Sequence, residues 1–217
     1  EYREVHQKAA VLYRKQARFQ LITTGKISQK SLLFENQHIE RLIKASRYFS
    51  YPFDAEYLKK KIEEECRACD INQDYRLRIS LSKSGKIELS RQILTPLTPT
   101  FCKAKICLQE ANLQQAFTYF KTTHRPHLSL GEQEEIYHNT KGELLETSIG
   151  NLVLKIAGKL YTPPIRLGIL PGIYRQHLLE TGQVEEKVLT LADLAQAEAI
   201  YGCNAVRGLY ELSLEEN

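Results

Sequence analysis

The chain has 217 residues, 42% of them apolar and 26% charged, a globular composition that excludes a disordered or collagen-like chain. Thirty Lys and Arg against 26 Asp and Glu leave a formal charge of +4. That excess is spread along the chain and is too small to point to nucleic acid, and no apolar run approaches the roughly 20 residues of a membrane span. Met and Trp are absent, Met even at position 1. The chain therefore reads as a fragment, a trimmed chain or one with residues left out, and its spacings are read as open to compression.

Residues 1–17 carry Val5, Ala9, Leu12 and Tyr13 among charges, a helix-like and mostly solvated pattern. Phe19 to Ile22 predicts a short strand ended by Thr23-Thr24-Gly25, and Ser31 to Phe34 a second. From Asn36 the period changes. Ile39, Leu42, Ile43 and Tyr48 mark one helix face, closed by Pro52. Asp54 reads as the N-cap of a helix from Ala55 to Cys69. Tyr75 to Ser82 alternates as a half-buried strand, Ser84-Gly85 turns, and Lys86 to Ile93 returns.

The segment Thr95-Pro96-Leu97-Thr98-Pro99-Thr100 reads as a linker, because two prolines so spaced fit neither a central strand nor a helix. It predicts one domain over 1–98, a linker over 99–105 and a second domain over 106–217. Cys102 to Leu108 is a strand. Glu135 to His138 and Glu143 to Leu145 flank a turn at Asn139-Thr140-Lys141-Gly142, and Leu152 to Ile156 and Lys159 to Tyr161 flank Ala157-Gly158. Gly168 to Arg175 is a glycine-bounded loop running into a helix. Thr190 to Glu198 is a helix, Gly202 to Arg207 a loop, and Leu209 to Leu214 the final strand.

Five cysteines, an odd count with no visible signal peptide, predict a reducing compartment and a cytoplasmic protein. Cys66-x-x-Cys69 has no second pair, and Cys66 falls at helical spacing with Leu58 and Ile62. It reads as two thiols on a helix, and no metal is expected.

The residues point to anion binding. Gly168 to Arg175 and Gly202 to Gly208 are small-residue loops beside basic groups, and Pro171-Gly172 at a helix start exposes backbone N–H groups and the positive dipole end. Lys121 sits in the stretch Phe117-Thr118-Tyr119-Phe120-Lys121-Thr122-Thr123. Aromatic neighbours desolvate a lysine, which lowers its pKa and frees a neutral amine for attack on a carbonyl. The plainer alternative is a strand-end lysine reaching water.

The order of motifs goes further. His38-Ile39-Glu40-Arg41-Leu42-Ile43-Lys44-Ala45-Ser46 precedes Lys121-Thr122-Thr123-His124-Arg125. Asn139 to Leu152, Tyr161-Thr162-Pro163-Pro164, Gly168 to Arg175 and Asn204-Ala205-Val206-Arg207-Gly208 follow. This series resembles the class IV pyridoxal-phosphate enzymes. Within them it is most similar to aminodeoxychorismate lyase, in the form fused behind aminodeoxychorismate synthase. The resemblance runs from about Phe19 to the C-terminus.

The resemblance implies an α/β fold, with an α+β N-terminal domain and an α/β C-terminal cofactor domain built on a barrel-like mixed sheet. It implies a homodimer with the site in a cleft between the domains. Lys121 would carry pyridoxal 5'-phosphate and act as the proton-transfer base, and Glu146 would pair with the pyridine nitrogen. Arg41, Gly172, Ile173, Tyr174 and Asn204 would hold the phosphate. Arg207 and Arg125 would read substrate carboxylates, and Thr23 or Thr24, the latter nearer the substrate, would supply a hydroxyl. The reaction implied is cleavage of the small molecule 4-amino-4-deoxychorismate to 4-aminobenzoate and pyruvate, a step of folate biosynthesis. The alternatives are a class IV transaminase of branched-chain or D-amino acids, and a non-catalytic partner domain of a synthase.

Two departures from the family pattern stand out. Its N-terminal strand and Asp-Arg-Gly / Gly-Asp-Gly region are missing, and residues 1–18 read instead as a segment connecting to a synthase. The stretch from Arg125 to Glu134 is shorter than the helix the family places there. Arg125 also stands near the position where the transaminases carry a tyrosine, which favours the lyase.

Overall fold

The computed structural model describes residues 18–109, 115–129 and 131–215; the helix-like pattern over residues 1–17 lies outside them. The first sheet begins with β1 (Leu21–Ser28), which runs straight through Thr23-Thr24-Gly25, where the sequence predicts an end. Two β-branched threonines suit an extended chain. Gly25 is there because the His38 ring fills the space of a side chain: a Cβ would lie 2.5 Å from its Nε2. A tight turn at Gln29 and Lys30, both with positive φ, leads to the two-residue β2 (Ser31–Leu32), shorter than expected.

Helix α1 (Glu35–Phe49) and helix α2 (Ala55–Arg67) follow, the second capped by Asp54, whose carboxylate accepts from the Tyr57 N–H at 2.9 Å. The hairpin of β3 (Tyr75–Leu81) and β4 (Ile87–Ile93) completes an antiparallel sheet of order β2-β1-β3-β4. One face, carrying Leu21, Ile27, Leu77, Ile79 and Leu81, packs on Leu42, Leu58 and Ile62 of the helices. Cys66 and Cys69 belong to this apolar core, and burial pushes the Cys66 thiol up to about 11. Residues directly opposite on antiparallel strands share a face. Thr24 therefore stands beside Arg78, and Lys26 beside Arg76, on the face turned away from the helices.

The linker contains a short helix, α3 (Pro99–Cys102), whose N-cap is Thr98. Beyond it come β5 (Lys103–Leu108), α4 (Gln115–Tyr119), β6 (Glu134–His138), β7 (Leu144–Thr147), β8 (Asn151–Ile156) and β9 (Lys159–Thr162). A 3-10 turn (Ile165–Leu167), α5 (Ile173–Glu180), β10 (Glu185–Glu186), α6 (Leu191–Ala195), β11 (Ala199–Asn204) and β12 (Gly208–Leu214) complete the chain. The second sheet has the order β10-β9-β8-β11-β12-β5-β6-β7, and a further pairing of β7 with β8 closes six of its strands into a barrel. Ala104, Ile136, Leu144, Leu152, Leu154 and Leu212 fill one core cluster.

Gly202 lies inside β11 rather than in a loop. A side chain there would strike the Tyr210 ring, 2.4 Å from its Cβ. Between Arg125 and Glu134 the described residues form a turn, closed by the Leu128 N–H on the Arg125 carbonyl, and no helix. No helix among the described residues is long and apolar enough to cross a membrane.

Candidate functional site

Because β2 is so short, the β1 edge beside Leu21 and Ile22 is free, and the segment around Lys121 pairs there. The Ile22 N–H donates to the Lys121 carbonyl, and the Thr123 N–H to the Gln20 carbonyl, each at 2.9 Å. The Gln20 N–H donates to Thr123 Oγ1 at 2.9 Å. Just before this segment, Phe117 and Phe120 pack on Phe19, Tyr48 and Phe49. The Lys121 backbone is thus held between the two sheets. Burial brings its amine down to about 7, with the Arg41 and Arg125 cations adding to the effect and Glu146 opposing it. The lysine stands next to the aromatic stretch, with Phe117 and Tyr119 in a short helix and the lysine itself in an edge pairing.

Glu146 lies on β7, only 2% exposed. Its Oε2 is 3.4 Å from Arg125 Nη2, and the Leu170 N–H favours the ionised carboxylate. Its Oε1 is buried with no partner. Burial pushes the carboxyl above the usual range, against Arg125, the Leu170 N–H and Lys121. A buried carboxylate oxygen left unpaired costs stability, so it marks where a ligand donor fits. Arg125, expected at a substrate carboxylate, is placed here against the buried carboxylate of Glu146 on β7.

Arg41, on α1, crosses to the second sheet, where its Nη2 donates to the Pro171 carbonyl at 2.8 Å. Gly172 is the N-cap of α5 and supplies no side chain to cap it. The first-turn N–H groups, those of Ile173 and Tyr174 among them, have no intrahelical acceptor. Gly172 must be glycine, since a Cβ would sit 1.9 Å from Asn151 Oδ1. Asn151 Nδ2 in turn donates to the Leu170 carbonyl at 2.8 Å. One buried asparagine therefore fixes the loop that meets Glu146 at Leu170, Arg41 at Pro171 and the helix start at Gly172.

Asn204 acts on its own loop. Its Oδ1 accepts from the Val206 and Arg207 N–H groups, each at 2.9 Å. The loop ends at Gly208, where a Cβ would stand 3.4 Å from the Tyr174 ring. Asn204 thus shapes the wall behind Tyr174 with its acceptor committed to that loop. Arg207 donates to the Thr95 carbonyl of the linker.

Thr24 is 8% exposed on the polar face of β1, whereas Thr23 points the other way, its Oγ1 2.6 Å from His38 Nδ1. Burial and the charges of Arg41 and Lys121 bring His38 down to about 3, so it is neutral. Sequence reasoning missed Arg76. It stands on β3 opposite Lys26, and its positive charge is a minor influence on both Lys121 and Arg207. The signal was the Arg76-Leu77-Arg78 alternation, which puts both arginines on the sheet face turned away from the helices.

Residues 20–213 match the model of the family described as Amino-transferase class IV. In the solved structure of a Mesorhizobium loti protein, provisionally named an amino-acid aminotransferase, the same fold is found with a TM-score of 0.76 and 28% identity, over 91% of this chain and 100% of that one. A Schizosaccharomyces pombe protein provisionally named aminodeoxychorismate lyase is 23% identical over 69% of this chain and 68% of its own length. An uncharacterized Haemophilus influenzae protein is 34% identical over 79 residues, 36% of this chain and 41% of that protein. A Mycobacterium tuberculosis protein of this fold, described as a hypothetical aminotransferase, at 17% identity and a TM-score of 0.73 over 90% of this chain and 81% of that one, has been solved with pyridoxal phosphate bound. The chain belongs to the class IV aminotransferase family, whose members depend on pyridoxal phosphate.

Proposed function

We propose that this protein is a lyase that uses pyridoxal phosphate to convert 4-amino-4-deoxychorismate to 4-aminobenzoate and pyruvate. The residues present fit the cofactor. The unpartnered Oε1 of Glu146 suits a protonated pyridine nitrogen, and the uncapped turn at Gly172 beside Arg41 suits a phosphate. The observation that carries the lyase reading is a surplus of cations in the cleft. Arg41 serves the anion end and Arg125 pairs with Glu146, and the charge of Arg76 acts on both Lys121 and Arg207. A branched-chain transaminase needs an apolar side-chain pocket and one carboxylate site. Aminodeoxychorismate brings two carboxylates, for which Arg76 and Arg207 are the candidate cations, Arg207 on leaving the Thr95 carbonyl. The lyase name carried by the S. pombe relative supports the same reading.

Bound pyridoxal phosphate supplies a ring that takes up the electron pair left when a proton leaves the carbon bearing the amine. The chain's own residues do the rest. Lys121, with its amine brought to about 7, would hold the cofactor through its aldehyde. With the substrate amine in place, Lys121 Nζ is the base that removes the proton from the ring carbon bearing that amine. The C–O bond to the enolpyruvyl group breaks, the substrate ring becomes aromatic, and the released enolpyruvate takes up a proton to become pyruvate. Arg76 and Arg207 orient the substrate, with the Thr24 hydroxyl on the same cleft face. Aromatisation favours the products, so orientation is the main task left to the protein.

The test supplies the cofactor and follows 4-aminobenzoate by fluorescence. A parallel assay follows glutamate formed from 2-oxoglutarate with a panel of amino acids. The lyase reading predicts 4-aminobenzoate, and a fall in kcat/KM on the order of 10- to 100-fold in Arg76→Ala from the lost charged contact. Glutamate without 4-aminobenzoate would establish a transaminase instead, and neither product would establish a non-catalytic domain.

A further inference from the structure

Arg125 and Glu146 are the most enclosed ion pair among the described residues, their side chains 15% and 3% exposed. The pair is asymmetric. Glu146 Oε2 faces Arg125 Nη2, whereas Oε1 has no partner, and Arg125 Nε is likewise buried without one. We propose that Arg125 is a positioning residue: it holds Oε2, keeps the buried carboxylate charged, and leaves Oε1 aimed at the ring nitrogen of the cofactor. The proposal rests on the cofactor assigned above and on no particular substrate.

The physical case is one of competing charges. Enclosure disfavours an ionised carboxylate, and burial is the largest influence on Glu146. Three groups work against it: Arg125 first, then the Leu170 N–H, then Lys121. Lys121 is a poor permanent counter-charge, because its amine is neutral over half the time above about pH 7 and is consumed when it attaches to the cofactor. Arg41 is committed to the Pro171 carbonyl at the phosphate end. That leaves Arg125 as the lasting cation beside Glu146. Around Arg125 stand Arg41 and His127. His127 is brought down to about 4 by burial, with Arg125 and His124 adding to it, so it adds no charge near neutrality. Glu146 is the carboxylate paired with Arg125 among the described residues.

If Arg125 acts through Glu146, the two are energetically coupled, and a double-mutant cycle reads the coupling directly. Cofactor affinity would be measured by equilibrium dialysis for the wild type, Arg125→Gln, Glu146→Gln and the double variant, with circular dichroism checking the fold of each. Arg125→Lys keeps the charge without the planar fork and serves if Arg125→Gln fails to fold. The expected result is a loss of pyridoxal phosphate affinity on the order of tenfold or more for Arg125→Gln. In the Glu146→Gln background the same change should cost no more than about twofold, and Arg125→Lys should recover part of the loss. The visible absorbance of the bound cofactor against pH should shift in Arg125→Gln and not shift again in the double variant. Equal losses in both backgrounds would overturn the proposal, because Arg125 would then touch the cofactor or its phosphate directly. No loss in either would overturn it too. A wild type that binds no cofactor would bring down the functional reading itself, an outcome distinct from both.

Discussion

At the residue scale, the site turns on how burial and neighbouring charge set one amine. Lys121 is enclosed beside Arg41 and Arg125, and both lower its pKa, to about 7. The sign follows: below that value the amine is an ammonium and cannot attack an aldehyde, and above it the neutral form dominates. The rate of covalent attachment of pyridoxal phosphate should therefore rise through about pH 7 and level off. Attachment that keeps rising toward the ordinary lysine range near 10.5 would show an amine open to water. Lys121, Glu146 and Arg41 were legible because each stands in a short motif in family order. The partner of Arg125 was not, since it sits 21 residues away on β7. The choice between Thr23 and Thr24 was equally hidden: it depends on which way each side chain points, and so on the length of β1.

At the scale of elements, periodicity located helices α1 and α2, the Asp54 cap and the β3–β4 hairpin, because their apolar faces repeat with a clean period. It failed where glycine sits inside a strand for steric reasons. Gly25 and Gly202 read as breaks, yet each lies within a strand where a ring from elsewhere, His38 or Tyr210, takes the place of a side chain. That close contact can be tested. In Gly25→Ala the new methyl group would meet His38 Nε2 at 2.5 Å and Leu32 Cδ1 at 2.8 Å, and His38 is fully buried beside Thr23. Overpacking of this kind costs about 1–3 kcal/mol. The urea midpoint should fall with an unchanged slope; an unchanged midpoint would mean that His38 moves aside freely.

At the scale of the whole molecule, the sequence announced two α/β halves but not how they join. Nothing in a period shows that β7 pairs with β8 to close a barrel. Nor does it show that the chain around Lys121 adds to the edge of a sheet formed about 100 residues earlier. Two contacts then bring the halves to one place, the Lys121 backbone on Ile22 and the Arg41 guanidinium on Pro171. The central claim is that this junction is where the cofactor is held, with Lys121 as its carrier. The most direct test is to load the protein with pyridoxal phosphate, reduce it with borohydride and map the labelled peptide. The account predicts a single label on Lys121, with a lower yield in Arg41→Ala at limiting cofactor. A label on Lys141 or Lys155, or none in a protein saturated with cofactor, would contradict it.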